Sequence, residues 1–122
     1  MSTRAMVHFN QFGKTQAFIF RHYDGYPEGL GEDLKKFLKA NKEGTKPDNY
    51  GLHRFDDSTI LAARFVVWQA KEYAEGKLSY LDFTGLRIET EDSGDAEYIY
   101  TLDCDNLDSQ GFPVLKTEGV ER

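Results

Sequence analysis

MVHFNQFGKTQAFIFR, residues 6–21, alternates apolar and polar side chains on either side of a glycine. A period of two is typical of strands that bury one face, and Gly13 is favoured in tight hairpin loops. With Gly13 and Lys14 as the loop residues, Phe9 pairs with Phe18. The buried face then contains Val7, Phe9, Phe18 and Phe20. The stretch therefore predicts an N-terminal β-hairpin.

Two helices are predicted in the middle of the chain. The first runs from about residue 29 to residue 41, and its apolar stripe is formed by Leu30, Leu34, Phe37 and Leu38. The second begins near Ser58, with Asp57 or Ser58 as N-cap, and ends at Gly76. Its apolar arc, expected to face the core, contains Ala62, Ala63, Val66, Val67, Ala70, Tyr73 and Ala74. The loop between the helices has room for a short strand at residues 53–55.

The last third of the chain returns to β structure. Residues 86–91 and 97–102 alternate, and residues 92–95 are expected to join them as a hairpin loop. Residues 81–83 and 113–115 are weaker strand candidates, and the polar tail from residue 117 is expected to fray. The order of elements predicts a single α+β domain over residues 1–122, in which an antiparallel sheet of the two hairpins and one or two additional short strands packs against two helices.

Composition limits the classes of function. The chain has 122 residues, 39% hydrophobic and 14% aromatic, which suits one packed domain. Its net charge is −6, with 15 Lys plus Arg against 21 Asp plus Glu, so direct nucleic-acid binding is disfavoured. Cys104 is the only cysteine, which excludes an intrachain disulfide and a zinc site of several thiolates. With no apolar run long enough for a signal peptide or a membrane span, a cytoplasmic protein is expected. The sequence has no Walker-type phosphate loop and no dinucleotide glycine fingerprint, and no cofactor is expected.

The run Arg-His-Tyr-Asp-Gly-Tyr-Pro-Glu-Gly, residues 21–29, gathers several chemically active side chains at the end of the first hairpin. One interpretation is catalytic: His22 is a base that Asp24 orients, and Arg4 holds an anion. The other interpretation is structural or binding: the run forms a turn that presents three side chains, Asp24, Tyr26 and Glu28. Because no nucleophile is evident beside His22, the second interpretation is favoured.

The same run resembles a group of small proteins from bacteriophages, prophages and some bacterial genomes. The resemblance rests on Ser2-Thr3-Arg4, a following hairpin, and the His-x-Asp-Gly-Tyr-Pro-Glu-Gly pattern that begins at His22. It covers roughly the first 40 residues by motif. The resemblance implies a phage or prophage origin and carries no activity with it.

Acidic residues dominate the segment from residue 88 to residue 115, which contains no Lys or Arg. Such a surface can recruit a basic partner protein or imitate a phosphate backbone, and Glu91, Asp92 and Asp95 are its candidate binding residues. The alternative, which we favour, is a solvated hairpin whose charges protect a sheet edge.

Metal sites are not expected. Residues 103–108 resemble a Ca²⁺ loop, but an EF-hand requires ligands that this stretch lacks. His8 and His22 point to opposite faces in the predicted hairpin register, and a site that includes His53 depends on an unknown loop path. Trp68 is a further candidate: it lies among charged residues of the second helix, where it is either an exposed contact residue or covered by a loop or strand.

These observations favour a non-enzymatic phage or prophage accessory protein that binds a host or phage macromolecule, with a protein partner of basic character. A small hydrolase or nucleotide-processing enzyme centred on His22 and Asp24 is one alternative. A structural module that self-associates through exposed strand edges, and so forms homo-oligomers, is the other.

Overall fold

The structure is a computed structural model that describes residues 3–44, 57–92, 94–109 and 112–120. Its elements, in chain order, are β1 (Ala5–Gln11), β2 (Lys14–Arg21), a π-helical turn (Pro27–Gly31), α1 (Glu32–Gly44), α2 (Ser58–Ala74), α3 (Tyr80–Thr84), β3 (Leu86–Glu89), β4 (Tyr98–Leu107) and β5 (Pro113–Gly119). The expected strand at residues 53–55 lies outside the described residues, as does His53.

The five strands form one mixed sheet in the order β3-β2-β1-β4-β5. The α+β class is confirmed, but the sheet is not purely antiparallel, because β1 and β4 run parallel. β3 and β4 lie on opposite sides of the first hairpin, so they do not form the hairpin that the sequence predicts. Instead, the described residues between them, 90–92 and 94–97, cross one face of the sheet, where Ala96 is buried against Met6 and Phe20. We call these residues the crossing segment.

The first hairpin forms, but its predicted register is wrong by one residue. The two loop residues are Phe12 and Gly13, both with positive φ, at 59° and 74°. A register shift between Phe9 and Asn10 then brings Phe9 opposite Ala17. Because side chains alternate along a strand, this change moves Phe18 and Phe20 to the face of Met6 and His8. The helix-facing side of β2 instead carries Ala17, Ile19 and Arg21.

The main core lies between the sheet and the two long helices. The predicted stripe is buried: Leu30 in the π-helical turn and Leu34 and Phe37 in α1 are each at most 1% exposed. α2 begins as predicted, with the Asp57 side chain accepting the backbone N–H groups of Thr59 and Ile60. The predicted arc of α2 is wrong, since Val67 is 69% exposed. The helix buries a stripe that includes two polar residues: Ser58, Leu61, Ala62, Phe65 and Gln69.

Two further elements differ from expectation. Residues 81–83 belong to the short helix α3, whose N-cap Ser79 accepts the backbone N–H of Asp82. The tail expected to fray from residue 117 continues as β5 to Gly119, and the Val120 N–H donates to the Glu97 carbonyl. Among the described residues, no helix has the length and apolar character needed to cross a membrane.

Candidate functional site

The Asp24–Gly29 turn is packed so closely that it requires two of its glycines. The Gly25 N–H donates to the Thr3 carbonyl at 2.8 Å, and a Cβ on Gly25 would lie 2.6 Å from the Cβ of Ala5. A Cβ on Gly29 would overlap the backbone carbonyl oxygen of Asp24. Real Cβ atoms do not approach other atoms this closely, so side chains at these positions would displace the turn. Asp24 itself has a φ of 53°, in the left-handed region.

Tyr100, on β4, anchors the turn from the core. Its hydroxyl donates to the Gly25 carbonyl at 2.6 Å, and its ring is fully buried. Burial raises the pKa of Tyr100, so the phenol stays protonated and remains a donor. The turn is therefore held by the sheet through a buried hydrogen bond.

A buried charge centre lies directly beneath the turn. Arg21, at the end of β2, is 1% exposed and contacts two carboxylates. Its Nη1 lies 2.7 Å from Oδ2 of Asp33 on α1, and its Nη2 lies 2.9 Å from Oδ2 of Asp82 on α3. Its Nε donates to the Tyr23 carbonyl at 3.0 Å. We call Arg21, Asp33 and Asp82 the Arg21 centre, and it joins the sheet to two helices.

Asp82 carries a perturbed carboxyl group. Burial raises its pKa to about 6 against the opposing effect of Arg21, and a hydrogen bond with Asp24 and the charge of Asp24 raise it further. Oδ1 of Asp82 is buried and has no donor among the described residues. The carboxyl groups of Asp82 and Asp24 therefore lie close enough for Asp24 to favour the protonated form of Asp82.

Tyr26 lies in a negative field at the surface of the turn. The pKa of its phenol is raised, first by the charge of Asp24 and by a hydrogen bond with that side chain, then by burial and the charges of Asp82 and Glu28. Tyr26 is 37% exposed and Glu28 is exposed. The turn thus presents an aromatic ring beside carboxylates.

The three predicted catalytic candidates have different surroundings. The His22 ring packs against Phe20 and Tyr23, with centroids at 6.0 and 4.6 Å. Arg4 donates from Nη1 to Oδ2 of Asp95 at 3.0 Å, on the crossing segment. Asp24 instead interacts with Tyr26 and Asp82. Among the contacts that the structure describes, none brings His22, Asp24 and Arg4 together.

Two of the predicted acidic binding residues have partners on the sheet. Asp92 lies 2.9 Å from Nε2 of His8, and Asp95 accepts from Arg4. Glu91 is exposed beside them. These contacts hold the crossing segment against the face of β1 that carries Met6 and His8. Arg4 therefore balances the charge of Asp95, and His8 gives Asp92 a hydrogen-bond partner.

Histidine geometry differs from expectation without creating a shared ion site. His8 contacts the Phe18 ring at 5.0 Å and His22 contacts Phe20, so the two histidines lie on the same face, not on opposite faces. Four residues separate Phe18 from His22, which corresponds to about 13 Å along a strand. Within the described ranges, no three metal-ligating side chains come together.

Trp68 is partly buried against the core. Its ring lies 5.8 Å from that of Phe37 and 6.3 Å from that of Phe65. The remaining surface of Trp68 lines a cleft between α1 and α2. It is therefore covered in part by the helix α1, whereas the cover that the sequence predicts is a loop or a strand.

Sequence reasoning missed the most deeply buried charged group of the molecule. In the predicted register Phe20 lies on the buried face, so alternation places Arg21 on the opposite face, and no motif identifies Asp33 or Asp82. Once the loop is placed at Phe12 and Gly13, alternation along β2 puts Arg21 on the same, helix-facing side as Ala17 and Ile19. This position is the signal that identifies Arg21 as buried. Comparisons of this chain with protein-family models, with curated proteins and with solved structures found no match.

Proposed function

We propose that this protein is a non-enzymatic accessory protein of phage or prophage type that binds a basic protein partner. The contact surface is formed by the Asp24–Gly29 turn, α3 and the end of α2. Four exposed side chains define it, and we call it the tyrosine surface: Tyr26, Tyr73, Tyr80 and Leu81. The motif resemblance supports the phage origin, and the single buried cysteine, Cys104, supports a reducing cytoplasm.

The observation that carries the proposal is the exposure of large apolar side chains around α3. Tyr80 is 65% exposed, Leu81 is 53% exposed, and Tyr73 is 37% exposed. Tyrosine is enriched at protein interfaces because its rigid ring buries a large area and its hydroxyl still finds a polar partner.

The members of the tyrosine surface are connected through α3. Tyr73 stacks on Phe83 at 4.7 Å and lies 6.4 Å from Tyr80, which joins α2 to α3. On the other side of α3, Asp82 interacts with Asp24 of the turn, and its charge reaches Tyr26. A partner can therefore contact the turn and α3 together.

The charge beside these rings specifies the chemistry of the partner. Asp24, Asp82 and Glu28 all act on the Tyr26 phenol, and the whole chain has a net charge of −6. A cationic side chain that reaches this surface gains both the attraction of carboxylates and contact with an aromatic face. Arg and Lys of a basic partner satisfy both conditions.

The catalytic alternative required His22, Asp24 and Arg4 to converge in one pocket. The contacts described above give each of them separate neighbours, so the binding function is the better supported of the two.

The test is an affinity capture from bacterial lysate with matched baits. A Tyr80→Ser/Leu81→Ser bait removes apolar area from the tyrosine surface. An Ile88→Ser bait is the control, because Ile88 is 75% exposed but lies on the edge strand β3. We expect wild type and Ile88→Ser to retain the same basic protein and the double variant to lose it.

Salt provides the second readout. At about 1 M salt the screening length falls to about 3 Å, so a partner held by charge should elute there. Retention by the double variant, or elution that does not depend on salt, would contradict the proposal. Loss of the partner by Ile88→Ser alone would move the contact to the sheet edge and favour self-association or strand pairing instead.

A further inference from the structure

A cleft of about 340 Å³ lies between α1 and α2, and Asp33 of the Arg21 centre is one of its lining residues. Six of its lining residues carry polar or aromatic groups: Asp33, Lys36, Trp68, Gln69, Glu72 and Lys77. Its volume is within the range of small-molecule sites in proteins.

Gln69 is the unusual residue of this cleft. Its side chain is 0% exposed, and neither its amide nitrogen nor its amide oxygen has a hydrogen-bond partner among the residues that the structure describes. Most buried polar side-chain atoms in native proteins are paired, so an unpaired amide that lines a cavity calls for a partner from outside.

Glu72 presents a second unsatisfied group on the same helical face. It follows Gln69 by three residues, which places the two side chains next to each other on α2. Its Oε2 is buried and receives no hydrogen bond from a described residue. A ligand that satisfies the cleft must therefore supply one acceptor and one donor to Gln69 and a further donor to Glu72.

The edge of adenine provides this set of groups. N7 accepts a hydrogen bond, and the N6 amino group donates two; glutamine amides recognise N6 and N7 as a bidentate pair. In the cleft, Gln69 would pair with N7 and one N6 hydrogen, and Glu72 would accept the other. Trp68 adds an indole surface against which a base can stack.

The charges at the mouth indicate what the base is attached to. Lys36 is exposed, and the Lys77 side chain is 64% exposed, with Nζ held 3.2 Å from Glu75. Asp33 is already neutralised by Arg21, so it does not oppose an anion as a free carboxylate would. Lys77 is likewise paired with Glu75 and lies in the field of Glu72, so the Lys36 ammonium is the group at the entrance that suits a phosphate.

We propose that the cleft between α1 and α2 binds an adenine nucleotide, with Gln69 and Glu72 reading the base, Trp68 stacking on it, and Lys36 holding the phosphate. This site is separate from the tyrosine surface and goes beyond the proposed binding of a protein partner.

The test uses AMP, IMP and adenosine as probes. Isothermal titration gives the affinities, and the fluorescence of Trp68, the only tryptophan, reports on the site. IMP carries an oxygen where AMP carries the N6 amino group, so we expect it to bind at least about tenfold more weakly than AMP. Adenosine should bind more weakly than AMP because it lacks the phosphate.

Variants separate the two halves of the site. Gln69→Leu should weaken AMP binding by about tenfold or more without lowering the melting temperature, because it removes unpaired polar atoms. Lys36→Met should bring the affinity for AMP close to that for adenosine and leave adenosine unchanged. Lys35→Met is the matched control, since Lys35 is the neighbouring lysine, pairs with Glu32 and does not line the cleft.

Three outcomes would overturn the proposal. One is the absence of a saturable signal with AMP at about 1 mM, the weak end of measurable affinity. Another is equal affinity for AMP and IMP. The third is AMP binding that survives Gln69→Leu in a folded protein, or that Lys35→Met reduces as much as Lys36→Met does.

Discussion

The Arg21 centre and the cleft between α1 and α2 share Asp33, yet they treat buried polar groups in opposite ways. In the Arg21 centre the guanidinium donates to two carboxylates and a carbonyl, and its side chain is 1% exposed. In the cleft, the equally buried Gln69 amide has no partner among the described residues. The Arg21 guanidinium is thus paired at all three nitrogens, although Oδ1 of Asp82 beside it has no donor among the described residues. A buried cation that is fully paired indicates structure, and an amide that is unpaired at both ends indicates a place for a ligand.

The difference follows from the energetics of burial. An unpaired buried charge costs far more than an unpaired neutral amide, so Arg21 must be paired for the fold to exist. A neutral amide such as Gln69 can remain unpaired at a cost that the rest of the core tolerates. Substitutions that act on one of the two regions and leave the other unchanged can therefore test this difference.

Arg21→Met should have the largest effect. It removes the cation from between Asp33 and Asp82 and leaves buried carboxylates without it, so we expect a loss of about 3–5 kcal/mol of unfolding free energy. Urea denaturation measures this loss of unfolding free energy. The control is Arg87→Met, because Arg87 is 62% exposed and pairs with Glu89 at the surface, where such pairs contribute about 1 kcal/mol or less. Similar losses in both variants would show that the Arg21 centre does not hold the fold.

Gly29→Ala tests the turn that covers the Arg21 centre. The new Cβ would overlap the Asp24 carbonyl oxygen, which accepts the Leu30 N–H at 2.9 Å, so the turn must move. We expect a loss of about 2–3 kcal/mol, within the range of strained substitutions. Gly119→Ala is the control, since its Cβ would meet only the Tyr98 ring at 3.8 Å. A melting temperature for Gly29→Ala equal to that of the control would contradict the packing described here.

Asp82 gives the Arg21 centre a pH dependence. Its folded pKa of about 6 lies above the unfolded value of 3.8, so the folded state binds the proton more tightly. The stabilisation is therefore present below about pH 4 and lost as the pH rises to about 6. Between these values, the stability of wild type relative to Asp82→Asn should fall by about 1–3 kcal/mol. Urea denaturation at several pH values measures the difference.

Asp103 provides a control of opposite sign. Its pKa is lowered, first by the hydrogen bond from Asn106, so its stabilisation is present at neutral pH and lost as the pH falls through the lowered pKa. The unfolding free energy of wild type relative to that of Asp103→Asn should therefore fall as the pH is lowered. A flat or acid-destabilised difference for Asp82→Asn would refute the assignment at Asp82.

Local signals in the sequence predicted much of the fold. The stripe Leu30, Leu34 and Phe37 and the N-cap at Asp57 depend on neighbours within one or two helical turns, and the structure has both. The pairing of β1 with β4 connects segments about 90 residues apart, and alternation within each strand does not reveal which strand lies beside it. The crossing of the acidic segment was therefore not predictable from its own pattern.

The two errors of orientation have specific causes. A hairpin loop with Phe12 at positive φ is unusual, and together with the register shift between Phe9 and Asn10 it moves the pairs from Phe9 to Ala5 by one residue. On α2, the buried Gln69 and the exposed Val67 do not follow the rule that apolar residues face the core. The predicted apolar arc is therefore rotated about the helix axis relative to the face that is buried. Violations of such local rules tend to occur at functional sites, which is consistent with the ligand site inferred at Gln69.

Gln69→Leu should have the smallest effect and the opposite sign. Leucine has a similar volume and no polar atoms, so it relieves the unpaired amide, and we expect a gain of about 1 kcal/mol in the absence of ligand. Gln16→Leu is the control, because the Gln16 amide donates to the Gln11 carbonyl at 2.7 Å and its loss should not stabilise the protein. Urea denaturation of both variants measures the change in unfolding free energy. A loss of stability in Gln69→Leu would mean that the amide is satisfied within the chain, and the contrast between the cleft and the Arg21 centre would then disappear.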